Sequence, residues 1–116
     1  MKSMKHLRVQ TRLTIYTGKS VEEATFGKGI ATLLRGIETY GSLNAAAKKI
    51  HMAYSKAWRI TKETEAGFGF DLIKRDGARG STLTAEGKKL LETYELLEGE
   101  TAAYIEKRFV EVISAK

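Results

Sequence analysis

The chain has 116 residues, enough for one domain, with a formal net charge of +6 and a hydrophobic fraction of 42%. That fraction is too high for a disordered chain, and the absence of cysteine excludes disulfides and thiolate metal sites. No apolar run approaches the ~20 residues of a membrane span, and the basic N-terminus lacks the apolar stretch of a signal peptide. The composition predicts a single cytoplasmic domain over residues 1–116, with no membrane contact.

Positive charge is concentrated in the N-terminal half of the sequence. Residues 1–62 carry a net charge of +9, whereas residues 63–83 carry −1 and residues 84–116 carry −2. Such an asymmetry favours a polyanionic partner, nucleic acid above all. A basic surface without any ligand is the alternative that composition leaves open.

The first predicted element is a strand over residues 7–16, because apolar and polar side chains alternate along it. A helix is predicted next, over residues 26–40, where apolar side chains recur at helical spacing from Phe26 to Tyr40. Gly41 then supplies a stop for that helix. These elements lead into the most informative stretch of the chain.

Residues 43–65 are predicted to form two short helices around a tight turn. Small alanines in the first helix allow the second to cross it closely, which is the pattern of a helix-turn-helix. The second helix of such a motif can enter the major groove of DNA. Residues 48–62 hold five Lys or Arg and no acid, which favours DNA binding over an ordinary hairpin with a solvated basic side.

A β-hairpin wing is predicted after the second helix, with strands at 70–75 and 81–83 and a glycine-rich reversal between them. With the preceding helices it makes a winged helix-turn-helix over residues 26–83. The alternative for the cations of the hairpin is a solvated loop. Those expected to reach phosphates or the minor groove are Lys74, Arg75 and Arg79.

Thr84 is predicted to cap a long final helix over residues 84–113, which would measure about 45 Å. A domain this small cannot cover that length, so part of the helix is expected to pack on a second copy. Two-fold dimers also suit palindromic DNA sites. The alternative is a helix that folds back at Gly99. The residues predicted to form the dimer contact are Leu91, Tyr94, Leu97, Ile105, Phe109 and Val112.

The candidate DNA contacts are polar, basic and stacking side chains away from the apolar stripe of the helix pair. Ser42 and Asn44 begin the first motif helix, where N–H groups meet phosphates, although capping alone also explains Ser42. Trp58 is expected either to stack on the sugar-phosphate or to pack under the wing. The predicted set is Ser42, Asn44, Tyr54, Ser55, Lys56, Trp58, Arg59 and Lys62.

Catalytic patterns are missing from the sequence. There is no Cys/His pair, and His51 has no obvious carboxylate partner. The glycine runs lack the spacing and the following Lys-Ser/Thr of a phosphate-binding loop. We therefore expect no catalytic residue, no cofactor and no metal site.

Four runs of the sequence resemble known DNA-binding families. Residues 41–47 and 51–58 are similar to the DNA-binding domain of the molybdate-responsive repressors, the ModE family. Residues 72–75 and 83–87 are shared more broadly with LysR-type regulators. Tyr54 and the pair Ala57-Trp58 favour the ModE family over the LysR-type regulators.

This resemblance implies a mainly α fold with small β: a winged helix-turn-helix that dimerises through its last helix. It implies a transcriptional regulator that binds double-stranded DNA, with helix 54–66 in the major groove and the 74–80 wing on the backbone. Ala53 stands where the family has serine. The sequence ends at Lys116 without the family's molybdate-binding domain, so we expect a stand-alone regulator without a small-molecule effector. The alternative is a protein-interaction module that works with a separate oxyanion-binding partner.

Overall fold

The computed structural model describes residues 3–18, 24–75, 77 and 80–115. These residues form a mainly α structure with two small antiparallel hairpins, which confirms the predicted fold class of a winged helix. The helices are α1 (Lys28–Tyr40), α2 (Leu43–Lys49), α3 (Tyr54–Phe68) and α4 (Ala85–Ser114). The strands are β1 (Ile15–Tyr16), β2 (Thr25–Phe26), β3 (Ile73–Arg75) and β4 (Ser81–Leu83), with β1 paired to β2 and β3 paired to β4.

The core lies where α1, α2 and α3 meet the first turns of α4. Leu33, Leu34 and Ile37 of α1 are fully buried there, at the helical spacing that predicts this helix. Each such side chain contributes about 1.5–3 kcal/mol when it leaves water. Helices α1 and α2 approach so closely that a Cβ on Gly36 would lie 2.6 Å from the Ala46 Cβ. Ala46 therefore permits a close approach of two helices, but its neighbour there is α1 and not the second helix of the motif that the sequence predicted.

The predicted strand over residues 7–16 is wrong for most of its length. Only Ile15–Tyr16 forms a strand, paired with Thr25–Phe26, and residues 7–14 form no regular element. Alternation makes a segment suitable for a sheet, but a strand also needs a partner, and β2 provides only two residues. The predicted helix over 26–40 begins later than expected, at Lys28, because Phe26 belongs to β2.

The predicted wing is confirmed as the β3–β4 hairpin, in the register Ile73↔Leu83. Its strands are shorter than the predicted 70–75, since strand geometry begins only at Ile73. The Ser81 N–H donates to the Gly41 carbonyl at 2.9 Å, which ties the wing to the turn before α2. A Cβ on Gly80 would lie 2.2 Å from that same carbonyl oxygen, so only glycine fits this close approach.

Helix α4 is continuous from Ala85 to Ser114, which excludes the fold-back at Gly99. The Thr84 hydroxyl caps it by accepting from the Gly87 N–H at 2.9 Å, as predicted. The longest dimension of the molecule is 61 Å. We call residues 95–114 the outer half of α4, because every side chain there is exposed or only partly buried. In the described part of the chain, no helix is both long and apolar enough to cross a membrane.

Two of the predicted dimer residues belong to the core instead. Leu91 is 0% exposed and Tyr94 is 6% exposed, and the Tyr94 ring packs edge-on against Phe26. Burial also raises the pKa of Tyr94. The prediction of a dimer contact is therefore wrong for these two residues, because the first turns of α4 are covered by the chain's own domain.

Candidate nucleic-acid interface

Helix α3 docks on the domain by one side and leaves the other side open. Ala57, Thr61 and Thr64 are buried, and the Thr64 hydroxyl lies 3.2 Å from the Thr25 carbonyl that accepts its hydrogen bond. Their spacing of four and three residues puts them on one stripe. The opposite side therefore faces solvent and carries Ser55 and Arg59, while Tyr54 and Lys56 are exposed in the first turn of the helix.

The turn between α2 and α3 is tight and is built largely from backbone contacts. The Met52 N–H donates to the Ala47 carbonyl at 2.9 Å, and His51 has a left-handed backbone with φ of 55°. A conformation that residues other than glycine rarely adopt suits a structural role for His51. Ala53 precedes α3 without a side-chain cap, because it has no oxygen to offer.

The start of α2, the start of α3 and the wing meet at one shallow cleft. Ser42 lines it while capping α2, since its Oγ accepts from the Ala45 N–H at 3.0 Å. Asn44 is exposed in the same cleft. The structure thus brings together four of the predicted DNA-binding residues along this cleft: Ser42, Asn44, Tyr54 and Arg75.

A cluster of aromatic and charged side chains joins α3 to the wing. Arg75 Nη2 donates to the Tyr54 hydroxyl at 2.8 Å, and Arg75 Cζ lies 4.2 Å from the centre of the Trp58 ring. Lys62 Nζ also lies over that ring, at 4.5 Å. Trp58 is half-buried beneath these cations. This position agrees with the predicted alternative in which Trp58 packs under the wing. We call these four residues and Glu65 the Trp58 cluster.

Glu65 is the functional residue that sequence reasoning missed. Its carboxylate is buried, and Oε2 accepts the N–H groups of Leu72 at 2.7 Å and Ile73 at 3.2 Å, where β3 begins. Oε1 has no well-aligned hydrogen bond in the described residues, but Lys62 Nζ lies 3.0 Å away and compensates its charge. A signal was present: Glu65 lies eight residues after Ala57, on the buried stripe of α3.

The other side chains predicted to contact DNA differ in whether they have a partner within the chain. Arg59 pairs with Glu63 at 3.1 Å, but both side chains are exposed, so the pair contributes only about 0–1 kcal/mol and is easily exchanged. Lys56 and Lys74 are exposed on α3 and β3. Arg79 lies outside the described residues. We call the following exposed or partly buried residues the α3–wing face: Ser42, Asn44, Tyr54, Ser55, Lys56, Arg59, Lys74 and Arg75.

The site offers cations, hydroxyls and an amide, but no grouping typical of a metal centre. No group of three or more His, Asp or Glu that could hold a metal ion occurs in the ranges that the structure describes. The α3–wing face can donate hydrogen bonds to phosphates and to base edges. Its chemistry is therefore that of recognition.

Comparison with known proteins supports a regulatory helix-turn-helix. Residues 32–88 match the family of bacterial regulatory helix-turn-helix proteins, lysR family, which is not an enzyme class. The fold is similar to the crystal structure of a CbnR_DBD–DNA complex, with a TM-score of 0.60 and 27% identity over 73% of this chain and 95% of that one. It is also similar to VV2_1132, a LysR family transcriptional regulator, with a TM-score of 0.57 and 22% identity.

The alignment with VV2_1132 covers 76% of this chain but only 30% of that protein, so the likeness there concerns the fold of one part. No curated protein matches the chain. The comparisons support the LysR-type part of the resemblance, and the molybdate branch stays a prediction.

Proposed function

We propose that residues 32–88, a lysR-type helix-turn-helix domain, make this chain a transcriptional regulator that binds double-stranded DNA in a sequence-specific manner. The observation that carries the proposal is the exposed part of α3, because the stretch from Tyr54 to Lys62 holds hydrogen-bond donors and cations and contains no Asp or Glu. The similar CbnR_DBD was solved as a complex with DNA, which supports the same partner here.

In the proposed complex the first turns of α3 enter the major groove. Arg59 is the residue best suited to a guanine, because a guanidinium can bond both acceptors of that base. Lys56 and Ser55 stand beside it, and the wing contributes Lys74 and Arg75 to the phosphate backbone. Base contacts and backbone contacts would thus come from two elements that the Trp58 cluster ties together.

The proposed assembly is a homodimer formed by the outer half of α4. Eighteen residues make about five helical turns, so Phe109 lies on the same side of α4 as buried Leu91, and Val112 on the same side as Tyr94. The core-facing stripe therefore continues for about 30 Å along α4 beyond Tyr94, where Ile105 and Phe109 are partly buried and Val112 is 56% exposed. The proposed dimer contact, with the two core residues removed, consists of Leu97, Ile105, Phe109 and Val112.

A finer proposal assigns the chain to the molybdate-responsive branch. It is supported by Tyr54 and Ala57-Trp58 in α3, the residues that carry the resemblance. Selection of DNA sites in parallel with a ModE-family DNA-binding domain tests it. We expect both proteins to enrich the same half-site. Enrichment of a different half-site would refute membership of the molybdate-responsive branch and would leave the LysR-type function intact.

Titration of a labelled duplex pool at several salt concentrations, with the oligomeric state followed by light scattering, tests the main proposal. We expect a dimer whose affinity falls as salt rises, with a log–log slope near −0.9 per phosphate neutralised. The competing function is a protein-interaction module, which the exposed apolar outer half of α4 favours. That function predicts weak DNA binding and a complex with a different protein, and it would replace the present proposal.

A further inference from the structure

Trp58 is the only tryptophan of the chain, and its surroundings are unusual for a base-stacking residue. Two cations already lie over its ring, Arg75 at 4.2 Å and Lys62 at 4.5 Å. The ring is half-buried between α3 and the wing. The quadrupole of the indole ring attracts these cations. Because they occupy its face, the ring offers little room for a nucleotide base to stack.

Arg75 is held at two points, which orients it more fully than one contact would. Its guanidinium lies over the indole, and Nη2 donates to the Tyr54 hydroxyl at 2.8 Å. A guanidinium has five N–H donors in a rigid fork, so one bond to Tyr54 leaves others for a phosphate. Because the side chain is ordered before DNA arrives, its rotamer entropy is not lost on binding.

Lys62 and Glu65 fix the other part of the cluster. The buried Glu65 carboxylate accepts the N–H groups at the start of β3 and pairs with Lys62, which lies over the Trp58 ring. The wing and α3 are therefore joined through Glu65 as well as through Arg75. The charge of Lys62 is already compensated, so we count Lys62 with the cluster and no longer with the phosphate contacts.

We propose that Trp58 is a positioning residue that holds Arg75 of the wing against the start of α3, so that Arg75 meets a backbone phosphate. Trp58 itself does not stack on DNA. This inference rests on the proposed DNA-binding function and deepens it. It separates the residues of the interface into those that meet the nucleic acid and those that orient them.

The test compares Trp58→Phe, Trp58→Leu and Arg75→Met by titration of a duplex that the unaltered chain binds. Phenylalanine keeps an aromatic face, so we expect affinity within about threefold of the unaltered chain. Leucine should lower affinity about tenfold and reduce the salt slope by about 0.9, the value for one lost phosphate contact. Arg75→Met should show the same change of slope, and Trp58→Leu/Arg75→Met should show little further loss.

A general loss of stability cannot imitate this result, because it lowers the active fraction and leaves the slope unchanged. An unchanged slope in Trp58→Leu, or fully additive losses in the double variant, would overturn the inference. If Trp58→Leu does not fold, Arg75→Lys replaces it, since lysine keeps the charge but has no planar fork to stack and bond. Equal affinity and slope for Arg75→Lys would also overturn it.

Fluorescence of the single tryptophan supplies an independent readout on the unaltered chain. Arg75→Met should alter Trp58 emission without any DNA present, whereas binding of the duplex should change the emission little. Strong quenching by the duplex would mean that Trp58 stacks on bases, against the inference. If the unaltered chain binds no duplex at all, the proposed function fails first, which keeps the two failures distinct.

Discussion

The α3–wing face and the outer half of α4 are both surfaces, yet they are built in opposite ways. On the first, a wing cation such as Arg75 is held by Tyr54 and Trp58 before any partner arrives. On the second, Leu97 and Val112 are 41% and 56% exposed on the part of α4 that extends beyond the core. An ordered cationic surface suits a rigid polyanion, whereas an uncovered apolar stripe suits a second copy.

One helical pattern serves two purposes within α4. Leu91 and Phe109 occupy the same side of the helix five turns apart, but only Leu91 reaches the core. Variants of the two regions should therefore fail in different ways: those of the α3–wing face in DNA binding, those of the outer half in self-association.

Truncation of an apolar side chain in α4 should change the free energy of unfolding strongly in the first turns of the helix and little in its outer half. Leu91→Ala should lower the free energy of unfolding by about 2–5 kcal/mol, because it leaves a cavity in the core. Its matched control, Phe109→Ala, should leave the unfolding of the monomer nearly unchanged and weaken the dimer. Urea unfolding at low protein concentration and sedimentation give the two readouts. An equal loss of monomer stability in both variants would contradict the division of α4.

A smaller loss of stability is expected from changes at Glu65, which joins α3 to the start of the wing. Glu65→Ala should cost about 2–3 kcal/mol in unfolding, because it removes the acceptor of two N–H groups at the start of β3. Glu65→Gln keeps one amide oxygen as an acceptor and should cost less. Chemical denaturation measures both variants. Equal costs for the two would mean that only the charge of Glu65 matters.

DNA affinity should distinguish two exposed arginines, each of which pairs with a glutamate on its own helix. Arg59 pairs with Glu63 on α3, and Arg108 pairs with Glu111 on the outer half of α4. Arg59→Ala should weaken binding by about 1–3 kcal/mol if Arg59 bonds a guanine, while Arg108→Ala should change it little. Duplex titration at constant salt measures the difference, with light scattering to check that Arg108→Ala stays dimeric. Similar affinities for both variants would remove Arg59 from the interface.

The smallest effect lies at the boundary between the two halves of α4, where Glu95 pairs with Arg35 of α1. The hydrogen bond from Arg35 lowers the pKa of Glu95, so the stability from this pair is present above the ordinary carboxyl pKa of 4.5. It is lost as the pH falls through the lower pKa of the folded state. Because both side chains are over 40% exposed, the loss is at most about 1 kcal/mol.

Unfolding at pH 7 and pH 3 measures this effect in the unaltered chain and in Glu95→Gln. The variant should lose less stability than the unaltered chain over that range. An identical pH dependence would show that the pair contributes nothing measurable.

Local patterns predicted much of the fold because local chemistry determines those parts. Ser42 and Thr84 begin helices through side-chain hydrogen bonds, and Gly41 ends α1 because glycine readily adopts the left-handed backbone found there, with φ of 89°. The helix-turn-helix follows from helical spacing and small residues in the same way. These elements need little information from distant parts of the chain.

Long-range contacts account for what the sequence could not predict. The strand over residues 7–16 is mostly absent, because its partner β2 is only two residues long. The sequence predicts a dimer contact for Leu91, because periodicity identifies the apolar side of a helix but not what covers it. Glu65 was missed because its partners at the start of β3 come from another element.

Selection of duplexes from a random pool by the purified chain, at about 150 mM salt, tests whether both regions act together in DNA recognition. A dimer with α3 in the major groove should enrich an inverted repeat whose half-sites lie about one helical turn apart. Failure of the folded protein to enrich any sequence would contradict a sequence-specific regulator.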